Sequence, residues 1–149
     1  MELGDKVRSV LERKGSVVWS ISPQASVFEG VQLMAEKDIG ALAVLDGRRL
    51  VGIFSERDYA RKIILEGKSS KQARVHEVMT HPVISVDPED TVDECMHLMT
   101  DHRVRHLPVM TGGELVGMVS IGDLVNWIIS AQAETIGHLH SYIAGSYPG

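Results

Sequence analysis

The nine residues Leu50-Val51-Gly52-Ile53-Phe54-Ser55-Glu56-Arg57-Asp58 return 65 positions later as Leu115-Val116-Gly117-Met118-Val119-Ser120-Ile121-Gly122-Asp123. Both copies run from apolar and β-branched residues into Ser-x-x-Asp, the pattern of a strand that hands over to a capped helix. Working outward, Pro23–Ile64 lies on Pro88–Ile129 without a gap, with 15 of 42 positions identical. That is several times what unrelated segments share. The match continues upstream, where Ser9-Val10-Leu11-Glu12 faces Arg74-Val75-His76-Glu77. Two copies are too few for a solenoid, and each alone is small for a stable core. The expectation is a pseudo-twofold pair sharing one core.

Each copy spells the same element order. Val17–Ile21 and Val83–Val86 are β-branched stretches that read as strands. Ser26-x-x-Glu29 and Thr91-x-x-Glu94 follow as capping boxes. Behind them Val27, Val31 and Met34, matched by Val92, Met96 and Met99, recur at helical spacing. Cys95, at the position of Gly30, falls on that apolar face and reads as a buried, inert thiol. Ala41–Leu45 and Leu50–Phe54 flank the turn signal Asp46-Gly47, while Leu107–Met110 and Leu115–Val119 flank Thr111-Gly112-Gly113. Second helices are expected over Glu56–Glu66 and Ile121–Ala131. The fold class is therefore α/β, with two pseudo-symmetric β-α-β-β-α repeats packed through their sheets. Residues 1–16 form a lead-in with a helix over Lys6–Arg13, 17–66 the first repeat, and 67–82 a linker with a helical turn over Val75–Met79. Residues 83–131 form the second repeat and 132–149 a tail with a helix over Glu134–Tyr142.

Composition excludes several classes of function. The chain has 149 residues, 44% hydrophobic and 23% charged, with a formal charge of −5. That suits a globular protein and argues against sequence-independent nucleic-acid binding, which works by neutralising phosphates. No apolar run approaches a membrane span, and Met1–Gly15 lacks the apolar stretch of a signal peptide. The single cysteine excludes an intrachain disulfide framework and CxxC sites, and points to a reducing, cytoplasmic setting. No G-x-G-x-x-G, P-loop, H-E-x-x-H or G-x-S-x-G motif is present. His97, His102 and His106 straddle a helix-to-strand boundary, and with His138 and His140 they make no metal-ligand pattern.

The order and spacing of these segments resemble a tandem pair of cystathionine β-synthase (CBS) domains, the Bateman module. The resemblance spans Ser9–Ala131. Its marks are Val75-x-Glu77-Val78-Met79-Thr80, Arg105-His106-Leu107-Pro108-Val109, the weaker Gly40-Ala41-Leu42-Ala43-Val44, and the duplicated Val-Gly-x-x-Ser-x-x-Asp. It implies paired units meeting through their sheets, clefts that commonly hold adenine nucleotides, and frequent homodimers.

Two readings of Ser55-x-x-Asp58 and Ser120-x-x-Asp123 stand side by side. One is a helix cap with no further role. In the other, Asp58 or Asp123 accepts both ribose hydroxyls of a nucleotide, as an acidic residue does in dinucleotide sites; the resemblance favours this second reading. Phosphate needs cations: Arg105 and His106 supply them in the second copy, Arg57 and Arg61 in the first, so the two clefts are expected to differ. For the adenine, the strands carrying Ile21 and Ile84, the small Ala41 and a stacking Trp19 are candidates. A carboxylate beside the ribose repels a 2′-phosphate, so AMP, ADP, ATP or NAD(H) is expected rather than NADP(H).

The expected function is a non-catalytic regulatory module that binds an adenine nucleotide and signals to an unidentified partner protein, most simply as a homodimer. Val7, Val10 and Leu11, with Ile136, Leu139 and Ile143, offer apolar faces for that dimer with no evident burial within the repeats. The alternatives are a ligand-independent dimerisation or adaptor module and, less favoured, a small nucleotide or metal-dependent hydrolase. No nucleic acid, membrane or catalytic cofactor is implied.

Overall fold

A computed structural model describes residues 4–130. By packing they fall into two bodies, one comprising Ser16–Val86 with Pro108–Met118, the other the N-terminal residues to Gly15, Asp87–Leu107 and the chain from Val119.

In the first body, β1 (Ser20–Ile21), β2 (Ala41–Asp46) and β3 (Arg49–Ser55) form a sheet in the order β1-β2-β3, with β1 parallel to β2 and β3 antiparallel to it. Gly47 makes the turn after β2 at φ +64°, a conformation a side chain would strain. Helix α2 (Val27–Lys37) starts where the Ser26 hydroxyl accepts the Glu29 amide at 3.1 Å. It lays Val27 and Met34 on Leu42, Val44 and Phe54 of the sheet, and this apolar cluster is the core. Gly30 fits only because it lacks a side chain: a Cβ there would stand 2.8 Å from the ring of Phe54.

The expected strand over Val17–Ile21 shrinks to two residues. Val17 is exposed, and before Ser20 the ladder gains only the Ala43 amide bonding to the Trp19 carbonyl at 3.1 Å. The expected strand over Val83–Val86 is absent: Val86 alone bridges Val109, in the register that Ile21 takes with Val44. Pro82 and Pro88 flank this stretch without N–H groups to extend a ladder. The helix expected over Glu56–Glu66 also changes pitch. After α3 (Glu56–Tyr59) the chain widens into a π-turn, Ala60–Ile64, closed by the Leu65 amide on the Ala60 carbonyl at 3.1 Å. Gly67, at φ +68°, ends it.

The second body contains α1 (Val7–Lys14), α5 (Val92–His102) and the helical residues 121–130. The linker helix α4 (Val75–Val78) belongs to the first body, and β4 (His106–Thr111) pairs with β5 (Glu114–Ser120). Thr91 caps α5 through the Glu94 amide at 3.1 Å. Each lead-in helix is wired to the repeat that it does not precede. Val7 donates to the Asp90 carbonyl (2.8 Å) and Val92 to that of Asp5 (2.9 Å); Val75 donates to Ala25 (2.9 Å) and Val27 to Ala73 (2.9 Å).

These bonds correct two expectations. Val7, not Val10, is the counterpart of Val75, so the upstream match is displaced by three residues from the offset that aligns the repeats. The apolar face of α1 is also not left over for a dimer: Val7, Val10 and Leu11 are buried within this chain. Ile136, Leu139 and Ile143, with the expected helix over Glu134–Tyr142, lie outside the described residues.

Candidate functional site

In the first body β3 delivers Ser55 to the start of α3, where the capping box forms in full. The Ser55 amide donates to Oδ2 of Asp58 at 3.0 Å, and the Asp58 amide donates back to the Ser55 hydroxyl at 3.2 Å. The Ser55 hydroxyl also donates to Oδ2 at 3.1 Å. On the other oxygen, Oδ1, the Thr80 hydroxyl donates at 2.9 Å and the Lys62 ammonium stands 3.0 Å away. Lys62 is itself tied to the Val78 carbonyl at 2.9 Å. A carboxylate has about four acceptor positions, and these four donors fill them. Asp58 is only 6% exposed. Thr80 is held in place by paired backbone bonds with Ile53 (3.1 and 2.8 Å).

The equivalent turn in the second body is built alike and finished differently. Ser120 donates its amide to Oδ2 of Asp123 at 2.8 Å and accepts the Asp123 amide at 3.1 Å. The ammonium of Lys14, from the last position of α1, also sits on Oδ2. The Asp123 side chain is 23% exposed. The Ile121 amide bonds the Arg105 carbonyl at 2.9 Å, which fixes Arg105 and His106 beside the Ser120-x-x-Asp123 turn. In the first body the Glu56 amide makes the same bond to Gly40 (3.0 Å), a residue with no charge to offer.

His106 reports the charge of this surrounding. Burial pushes its pKa below the ordinary imidazole value, and the cations Lys14 and Arg105 push the same way against the Asp123 carboxylate. The second turn therefore gathers one partly open carboxylate, two cations and an imidazole biased toward its neutral form.

Comparison with known proteins accounts for the duplicated pattern. The family model described as CBS domain matches residues 8–65 and again 75–130. The chain belongs to the CBS-domain family. It carries a tandem pair of these domains, in a mixed α/β fold with a small sheet and helices in each repeat. It is 41% identical over 138 residues to the mitochondrial CBS domain-containing protein CBSX3 of Arabidopsis thaliana, covering 89% of this chain and 66% of that one. It is 32% identical over 116 residues to the CBS domain-containing protein YhcV of Bacillus subtilis, covering 78% and 82%. A solved CBS-domain protein from Burkholderia ambifaria MC40-6 superposes with a TM-score of 0.83 at 48% identity, over 86% of this chain and 96% of that one.

The remaining residues selected from the sequence are scattered. Ala41 pairs with Ser55 across the sheet and is buried, whereas Arg57 is half-buried and Arg61 exposed along the helical stretch after Ser55. Trp19 is 40% exposed, with the Lys37 ammonium 4.3 Å above its ring, so that face already has a cation. Ile21 packs against the core. Ile84 is half-buried in a segment without a strand, and it groups with the first body, whereas Arg105, His106, Ser120 and Asp123 group with the second.

A cavity of about 590 Å³ lies between α2 and α3, with Met34, Ile39 and Tyr59 on its walls and Asp38 and Glu56 among its lining; none of the selected residues lines it. Cys95 is fully buried and its thiol is pushed up to about 12, chiefly by burial, as an inert core cysteine requires. Among the described residues no helix is long and apolar enough to cross a membrane, and no three metal-ligating side chains converge.

Three residues of these turns escaped the sequence reading. Lys62 was legible, four residues from Asp58 on one helical face. Thr80 and Lys14 were not: they arrive from lead-in segments 22 and 109 residues away in sequence.

Proposed function

We propose that this CBS pair is a non-catalytic regulatory module that binds an adenine nucleotide (AMP, ADP, ATP or NAD(H)) at the Ser120-x-x-Asp123 turn and signals through a partner protein. The observation that carries the reading is the second turn's composition. A partly exposed carboxylate, suited to ribose hydroxyls, stands with Lys14, Arg105 and His106, suited to phosphate. Asp58 has the same motif but a full set of protein donors, so binding is assigned to the second turn, and the first is read as structural. Arg57 and Arg61 then serve the surface of the first domain rather than a phosphate.

Assembly as a homodimer belongs to this reading. Ile64 and Leu65, exposed at the end of the π-turn, are apolar surface available to protein contacts. The compartment we assign is the cytoplasm, on the single reduced, buried cysteine.

Titration calorimetry with AMP, ATP, NAD and NADH tests the proposal. Binding in the μM to mM range, roughly −8 to −4 kcal/mol, is expected. Asp123→Ala should weaken it, and recovery of every nucleotide unchanged after hours is expected of a module without turnover. A folded protein that gives no heat at millimolar nucleotide sinks the sensor reading and leaves the ligand-independent adaptor.

A further inference from the structure

Both domains leave the same helical position uncovered. Ile64 and Ile129 correspond at the repeat offset of 65, and they are 58% and 55% exposed. One turn earlier the counterparts are Ala60 and Val125, also exposed. Val125 and Ile129 lie four residues apart within the helical residues 121–130, so they share a face and form an apolar ridge.

The first domain is hollow where the second is bulky. Val31, Ala35 and Ala60 line the cavity of about 590 Å³, and their counterparts are the larger Met96, Thr100 and Val125. The charge beside the hollow differs too. Asp38, the C-cap of α2 at φ +54°, lines the cavity together with Glu56. The counterpart of Asp38 is Arg103, the C-cap of α5 at φ +55°, and the counterpart of Glu56 is the uncharged Ile121. One backbone conformation thus presents an acid in the first domain and a cation in the second.

Resting on the homodimer assigned above, we propose that two copies of this chain join head to tail. The Val125–Ile129 ridge of one protomer enters the hollow between α2 and α3 of its partner, and Arg103 meets the partner's Asp38 and the partner's Glu56. A twofold axis makes the contact twice, each protomer giving one ridge and one hollow. Bulk then meets hollow and cation meets acid. Hollow on hollow would gather Asp38 and Glu56 from both protomers around an unfilled space, and ridge on ridge would bring two copies of Arg103 together. Arg103 also has an interaction within its own chain, and a guanidinium with five donors serves more than one acceptor. Burial of the ridge drives the association, while the charges select which domains pair.

Sedimentation velocity on the full chain over a range of concentrations tests the pairing. The parent should reach twice the 16.4 kDa mass of the chain. Ile129→Asp should be monomeric and Ile129→Ser shifted the same way, both with the parent's far-UV circular dichroism, because residue 129 is exposed. Val17→Asp, on an exposed side chain outside ridge and hollow, should leave the dimer intact. Asp38→Arg and Arg103→Asp each install the residue that the other repeat already carries at the same φ, so neither strains the backbone. Each should weaken the dimer about tenfold, through two partly exposed charge contacts, and the double exchange should restore the parent's dissociation constant. A parent that stays monomeric overturns both the homodimer and this face. A dimeric parent whose folded Ile129 variants remain dimeric keeps the homodimer and overturns the face. Losses that add in the double exchange, without restoration, overturn the head-to-tail pairing.

Discussion

The hydroxyl of Thr80 donates to Oδ1 of Asp58 at 2.9 Å, from a segment that precedes the second CBS domain and completes the first. Lys14, from the segment that precedes the first domain, meets Asp123 in the second. The same exchange of lead-in segments thus finishes both Ser-x-x-Asp turns, once with a neutral donor and once with a cation. Chain topology thus brings a residue of a distant lead-in segment to each turn.

Asp58 should therefore matter more for stability than Asp123. Asp58→Ala removes the return bond of a capping box and takes one partner each from Thr80 and Lys62, at a cost of about 2–3 kcal/mol. Asp123→Ala loses a cap and a partly exposed ion pair, about 1 kcal/mol. Urea unfolding of the two variants checks the order, and equal midpoints would show that Asp58's extra donors carry no net energy.

The wiring of α1 into the second body makes a matching prediction. Val7 is 0% exposed and its amide is bonded to Asp90. Val7→Ala should cost about 2 kcal/mol through the cavity it leaves. Val17→Ala, ten residues on and 74% exposed, should stay within about 0.5 kcal/mol of the parent. Denaturation midpoints that do not separate these variants would mean that α1 is not part of the cooperative unit.

What the sequence revealed was mostly local. Ser26 and Thr91 mark the starts of α2 and α5 because a cap is a contact between residues three apart, and Gly47 marks its turn through its own φ. Duplication of Ser-x-x-Asp located both turns. The losses were non-local. Val17–Ile21 and Val83–Val86 resemble strands by their β-branched composition, yet whether they pair depends on a neighbour's ladder. Val10 aligns with Val75 at the repeat offset, but the bonds to Asp90 and Ala25 choose Val7. Lys14 could not be selected because no local pattern announces a partner 109 residues distant.

Gly30 and Phe54 form a small–large pair that the second domain answers with Cys95 and Val119, all buried. A Cβ on residue 30 would stand 2.8 Å from the Phe54 ring, which has no exposed side to retreat to. Gly30→Ala should destabilise by about 1–3 kcal/mol, as overpacking does. In a double-mutant cycle Phe54→Val should relieve part of that loss, with a favourable coupling of about 1 kcal/mol. Strict additivity would show that the ring is not what excludes the methyl group.

His106 supplies the pH dependence. It is faced by Lys14 from α1, Arg105 beside it in the chain, and Asp123 from the helical residues 121–130; burial and the two cations outweigh the carboxylate and lower its pKa from 6.5. The unfolded chain therefore takes up this proton before the folded one. Stability from keeping the imidazole neutral is complete above about pH 6.5 and is lost as pH falls through the lower, folded value. The urea midpoint should decline on acidification in that window, and less so in His106→Gln, the difference isolating this residue from the other six histidines. Direct titration of the His106 ring by NMR should give a value below the ordinary imidazole value. In Lys14→Met the His106 value should rise, because a cation that opposed protonation is gone while Asp123 remains. A His106 value unmoved by the loss of Lys14 would mean that the ammonium does not act on this site.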